Sequence, residues 1–170
     1  MKKIFVIATA LLMCCMVMGC GVKAQLVGTW KSSDSYEVSA SDMYDYYDQS
    51  VKTDITFTIN KDGTFAWDEV TNTTYTVNMD AVEDMFGDLG ITIPSKDAEK
   101  KTTKFSGSWY YHDSDKVILK VTKYSEQYDD EEADVDNNRT IVPSEVVLVD
   151  DILFVTHPVG YKIVEFTKAK

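Results

Sequence analysis

The chain has 170 residues, with 17 Lys+Arg against 28 Asp+Glu for a formal net charge of −11, and a 44% hydrophobic content that suits one globular domain. An acidic chain with no Lys/Arg run gains nothing from counterion release on phosphate, which excludes nucleic acid as a partner. All three cysteines (Cys14, Cys15, Cys20) fall in the first twenty residues, so the body has no disulfide, thiolate metal site or catalytic thiol.

Lys2 and Lys3 precede a stretch, 4–18, that is apolar apart from Thr9, the layout of a secretory leader. The leader ends in Val17-Met18-Gly19-Cys20, which resembles the bacterial lipobox, and this makes Cys20 the residue expected to be acylated and to become the new N-terminus. Val22-Lys23-Ala24 ahead of Gln25 offers an ordinary small-residue cleavage site instead. An uncleaved anchor is the third reading, and about 15 to 17 apolar residues are marginal for roughly 30 Å of hydrocarbon. Cleavage at Cys20 removes two of the 17 bases, leaving 15 against 28 acids and a formal −13, so membrane attachment would come from acyl chains rather than basic side chains. The expected division is a leader at 1–19, a short tether at 20–26 and one domain at 27–170.

From residue 28 onward, apolar and polar residues alternate at period two, the mark of half-buried strands. A first helical interruption is expected over Ser41 to Gln49, with Ser41 as N-cap and Met43, Tyr46 and Tyr47 as an apolar stripe. Ile55, Phe57 and Ile59 share one strand face, and Asn60-Lys61-Asp62-Gly63 is a hairpin signal leading to Phe65 and Trp67. After a polar break at Thr71-Asn72, alternation resumes with Tyr75, Val77 and Met79. A second helix is expected from Asp80 to about Phe86, with Asp80 and Glu83 spaced as a capping box and Gly87 as terminator. Phe105, Gly107, Trp109 and Tyr111 define the next strand, and a turn at His112-Asp113-Ser114-Asp115 leads to Val117, Leu119 and Val121. The final third gives strands at 146–149, 152–155 and 161–167, separated by Asp150-Asp151 and by Pro158 to Gly160. With no βαβ rhythm, this order predicts an all-β fold of about eight to nine antiparallel strands with one or two short helical insertions, closing as an up-and-down barrel or packing as a sandwich.

The segment Leu26-Val27-Gly28-Thr29-Trp30-Lys31 resembles the opening strand of lipocalin-like barrels, in which a Gly-x-Trp leads the first strand and the Trp plugs one end. Residues 57–65 look like the second-to-third strand hairpin of lipocalin-like lipoproteins of Gram-negative bacteria, and Gly107-Ser108-Trp109-Tyr110 looks like a middle strand of the same group. The resemblance implies an up-and-down barrel and a ligand held inside it. Lipocalins usually stack a late-strand Arg on the first-strand Trp; the only Arg here is Arg139, in an acidic stretch, so Lys162 or Lys168 would have to substitute.

Aromatic residues make up 12% of the chain, and Phe57, Phe65, Trp67, Tyr75, Trp109 and Tyr111 share the inward phase with Trp30. They read either as packed core or as a wall for an apolar or sugar-like ligand, with Tyr75 or Tyr111 orienting its polar end. In the acidic run 129–138, Asp134, Asp136 and Asn138 with Glu145 have calcium-loop spacing, but Arg139 stands where the turn needs Gly and Pro143 interrupts the loop, so a solvated acidic loop is the default. His112 and His157 sit beside turns without a ligand or catalytic partner in sequence and read as surface residues. No nucleophile elbow, zinc-protease helix or phosphate loop is present, so neither enzymatic activity, a metal nor a cofactor is expected.

The expectation is a secreted, lipid-anchored cell-envelope protein, on the periplasmic or outer side of a bacterial membrane, that captures a small apolar or amphipathic ligand; release as a soluble secreted protein is the alternative. The competing function is a filled barrel acting as an interaction or structural module, contacting an envelope partner through Tyr44, Tyr46 and Tyr47.

Overall fold

A computed structural model of the protein describes residues 24–40, 45–87, 89–112, 117–129, 131–135, 143–160 and 162–169. The expected leader, Cys20, Tyr44, residues 113–116 and Arg139 lie outside them. Eight strands form one closed antiparallel up-and-down barrel in chain order. They are β1 (Gly28–Val38), β2 (Tyr47–Ile59), β3 (Thr64–Val77), β4 (Glu99–Tyr111), β5 (Val117–Tyr128), β6 (Ser144–Val149), β7 (Ile152–Thr156) and β8 (Ile163–Lys168), with one helix, α1 (Met79–Phe86), between β3 and β4.

The expected barrel is present, and three local expectations are corrected. Tyr47, Asp48 and Gln49 belong to β2, paired with Val77, Thr76 and Tyr75, rather than to a helix; Ser41 and Met43 lie outside the described residues. An apolar stripe of three side chains loses here to a ladder that already runs from Ile59 outward. The polar break at Thr71-Asn72 does not interrupt β3, because Thr71 faces Thr53 across the ladder and their hydroxyl oxygens lie 3.1 Å apart. In α1 the capping residue is Asn78, whose side chain accepts from the Ala81 amide, and Gly87 ends the helix by donating its N–H to Glu83 O. Asn78 also donates to Asp48, which ties the helix start to β2.

One half of the barrel is solid. Trp30, Phe57, Phe65, Trp67, Phe105 and Phe166 are almost fully buried, and the Phe57, Phe65, Trp67, Phe105 and Phe166 rings pack edge-on or tilted, with Phe57 and Trp67 each meeting Phe166 at centroid distances of 5.6 and 5.1 Å. Leu26 plugs the bottom, where its carbonyl accepts from Trp30 Nε1 at 2.9 Å. Of the two lysines considered as partners of Trp30, Lys168 takes the place: its Nζ lies 5.2 Å from the ring centroid and donates to Gln25 O at 2.8 Å. Gly28 makes room for it, since its φ is +141° and a Cβ there would lie 3.1 Å from Lys168 Cε.

The wall is uneven. Strands β1 to β5 have 11 to 14 residues, whereas β6, β7 and β8 have 6, 5 and 6. At about 3.3 Å per residue the first group stands roughly twice as tall as the second. β1 meets β8 only at Trp30↔Lys168 and Lys31↔Thr167, although β8 continues through Ile163 in its pairing with β7, and β6 covers β5 only from Val117 to Leu119. β2, β4 and β6 end at the solid end of the barrel, where the 60–63 and 150–151 turns lie, and β1, β3 and β5 end at the other.

A bulge on β5 lets the tall wall curve: Ser106 faces Lys123 while Gly107 faces Val121, so Thr122 is the extra residue. A Cβ on Gly107 would come within 2.0 Å of Lys120 O, a backbone atom with no freedom to retreat. Gly107→Ala is expected to lower stability by about 3 kcal/mol or more, the upper range for overpacking. Urea unfolding checks this, and a midpoint equal to wild type would show that the bulge relaxes.

Candidate functional site

Where the tall wall outruns β6 to β8, the inward phase changes character. On β3 it reads Phe65 and Trp67, then Glu69, Thr71 and Thr73; on β4 it reads Phe105 and Thr103, then Lys101 and Glu99. The result is a cavity of about 760 Å³ above the aromatic core, opening at the β1–β8 seam. Ser32, Asp34, Thr53, Thr71, Glu69, Lys101, His157 and Lys162 give it polar walls, while Ile55, Tyr36 and Val164 supply apolar ones.

His157 lies on its floor. Its ring stands edge-on to Trp67 and Phe105, with centroids 5.3 and 5.5 Å away. Nδ1 accepts from the Val159 amide at 3.2 Å, which assigns the ring proton to Nε2, and Nε2 donates to Glu69 Oε2 at 2.9 Å. Trp67 Nε1 donates to the same oxygen at 3.2 Å. The expectation of a surface His157 is therefore corrected: its side chain is only 17% exposed, because the β7–β8 turn folds over the low wall. His112 is exposed beside Tyr111 at the solid end.

Burial alone would push the Glu69 carboxyl up, but the hydrogen bond and electrostatic attraction of His157, the Trp67 donor and Lys101 together hold it below its ordinary value. Lys101 pairs with Glu126; burial would lower its ammonium, and the hydrogen bonds to Glu126 and Tyr128 outweigh that and raise it. Nearer the seam Lys162 donates to Asp34 at 3.0 Å and holds that exposed carboxyl down.

The sequence-derived wall residues divide between three places. Trp30, Phe57, Phe65, Trp67 and Trp109 are brought together in the solid half, each no more than 6% exposed and packed against one another, and none lines the large cavity. Tyr75 is half-buried at the open end, where its hydroxyl hydrogen-bonds Glu99 and the Lys96 ammonium lies 3.7 Å from its ring centroid. Tyr111 is exposed at the opposite end, edge-on to Trp109. Tyr46 is half-buried against Phe86, and Tyr47 donates to Pro94 O. A second hollow, of about 380 Å³, lies on the outer face of β3 to β5 beside Val135.

Sequence reasoning missed Glu69, Lys101, Asp34 and His157. The available signal was the inward phase itself, which continues past Trp67 into charged and hydroxyl residues. Asp134 is bound by a backbone bridge to Glu126 and Glu145 faces Ile118, whereas Asp136 and Asn138 lie outside the described residues. Compared with known proteins, the chain matches no family model and no curated protein.

A carboxyl held below its ordinary value binds protons less readily folded than unfolded. Its stabilising contribution is complete above pH 4.5 and is lost as pH falls through the lower folded value. Glu69→Gln should therefore remove part of the acid-side loss of stability. Urea midpoints at about pH 6 and about pH 3 test this; an unchanged difference between them would mean that Glu69 carries none of the linkage.

Proposed function

We propose that the protein is a lipid-tethered, lipocalin-like binding protein of a bacterial cell envelope that captures a small amphipathic ligand in the open half of its barrel. The observation that carries this reading is the cavity of about 760 Å³, closed below by packed aromatic rings and open at the β1–β8 seam. Its size falls in the usual range for small-molecule sites. Its lining favours the amphipathic form of the expected ligand over a purely apolar one, since charged and hydroxyl groups outnumber apolar side chains around it.

Capture without turnover agrees with the state of His157, the imidazole on the floor. Both of its ring nitrogens are already engaged, so neither is free to take a proton from a bound molecule. The position of Lys168 on Trp30 supports the lipocalin-like reading, with a lysine cation doing the work of the usual arginine. Tethering rests on Cys20 and the leader before it.

Two measurements test the proposal. Native mass spectrometry of the full Cys20→Ala chain, secreted without acylation, should show an added mass that disappears on denaturation. Ser32→Trp should abolish that added mass by filling the cavity while leaving the thermal transition in place. A bare mass in both proteins would reject ligand capture. Separately, Cys20→Ala should move the protein from the membrane pellet to the soluble fraction, and continued pelleting would reject the lipid tether.

A further inference from the structure

We infer that the cavity takes a neutral saccharide, an inference that rests on the binding role proposed above and names the class of its ligand. The first observation is charge balance. Three carboxylates (Asp34, Glu69, Glu165) and three ammonium groups (Lys31, Lys101, Lys162) line the cavity, and His157 holds a single ring proton. Four of these six charged groups are already matched, Lys101 with Glu126 and Glu69 with the His157 and Trp67 donors inside, and Asp34 with Lys162 at the exposed seam, while Lys31 and Glu165 are exposed at the rim. A ligand bearing a net charge and held among the matched groups would have to break a pair or remain unpaired out of water, which is the costly outcome.

The second observation is the balance of donors and acceptors. Glu69 receives both of its hydrogen bonds on Oε2, and the Lys162 bond to Asp34 falls on Oδ2. A carboxylate has about four lone-pair sites, so both groups keep accepting capacity toward the cavity. Thr53 and Thr71 share one hydrogen bond between their hydroxyls, which leaves one further O–H to donate. Such walls require a ligand rich in O–H groups that both donate and accept.

The third observation is shape chemistry. Ile55 and Val164 present apolar surface beside these groups, and the Tyr36 ring, 54% exposed, stands at the mouth. A pyranose carries hydroxyls around its edge and C–H bonds on its faces. Its edge suits Glu69, Asp34 and the threonine pair; a C–H face suits Tyr36 and Ile55. A fatty acyl chain would desolvate the remaining carboxylate lone pairs and the further threonine O–H without giving them partners.

The test uses the full Cys20→Ala chain on a glycan array carrying neutral oligosaccharides beside their uronic-acid and free-amine counterparts, followed by calorimetric titration of the best neutral hit. A naphthalene sulfonate dye serves as apolar probe. The expected result is binding to neutral glycans, weakened at least about tenfold by Thr71→Val and by Tyr36→Ala, about 1.4 kcal/mol each, with unchanged thermal unfolding. Preference for charged glycans, or binding of the dye with no glycan bound, overturns the saccharide inference and leaves ligand capture standing. Neutral binding that neither substitution alters overturns the assignment to this cavity. No glycan, no dye and a bare native mass overturn both readings together.

Discussion

Closure of the barrel depends on a joint that hydrogen bonding alone barely supports. β1 and β8 share two residue pairs, extended by one backbone bond from Ala169 N to Thr29 O. Trp30 makes the joint hold. Its side chain is 1% exposed, and burying roughly 200 Å² of such a ring contributes about 5 kcal/mol at 25 cal/mol per Å². Lys168 crosses from β8 to the Trp30 ring and to Gln25 O, so the cation, the ring and the chain entering the barrel are fixed in one place. Gly28 is a consequence of that crossing, since any side chain there would meet the lysine stem.

The same economy at the joint creates the opening. A β8 that followed β1 to Val38 would seal the seam. β1 instead leaves β8 above Lys31, although β8 continues through Ile163, and the lumen faces solvent through the gap. The opening then governs composition: residues below it are dry and aromatic, while those beside it are wetted and polar. The boundary runs through His157, whose ring touches Trp67 and Phe105 below while its Nε2 reaches Glu69 at cavity level.

The fold was legible because period two persists in every strand, and the hairpin at 60–63 and the turn at 150–151 punctuate it. Helix α1 was legible apart from its cap, since Asn78 acts through a contact to Asp48 distant in sequence. Residues 47–49 read as helix because Tyr46 and Tyr47 fall at helical spacing from Met43, and only the pairing with β3 overrules that pattern. The site was less visible for a physical reason. Aromatic residues on an inward phase look alike whether they fill a barrel or line it; strand heights decide, and the shortness of β6 to β8 determines which level of the interior stays empty. Glu69 and Lys101 continue the inward phase of Trp67 and Phe105, but their charge carries no sign of burial in the sequence. His157 was hidden by its place in a turn, because the turn's course over the low wall is a tertiary fact.

The polar half of the lumen is not explained by stability. Partly buried ion pairs repay their desolvation poorly, and well-packed apolar side chains of similar size commonly do as well or better. Extending the aromatic column upward past Trp67 would have given a simpler core on the same backbone, since Glu69, Thr71 and Thr73 occupy the same inward phase of β3 as Phe65 and Trp67. The chain instead places carboxylates, an ammonium group, hydroxyls and an imidazole there, and the bonds among Glu69, His157, Trp67 and Val159 hold them in defined positions. Groups that add little to folding and are held this firmly are suited to presenting hydrogen bonds to something that enters from outside. The divergence of β1 from β8 above Lys31 opens the lumen to solvent at the level of these groups.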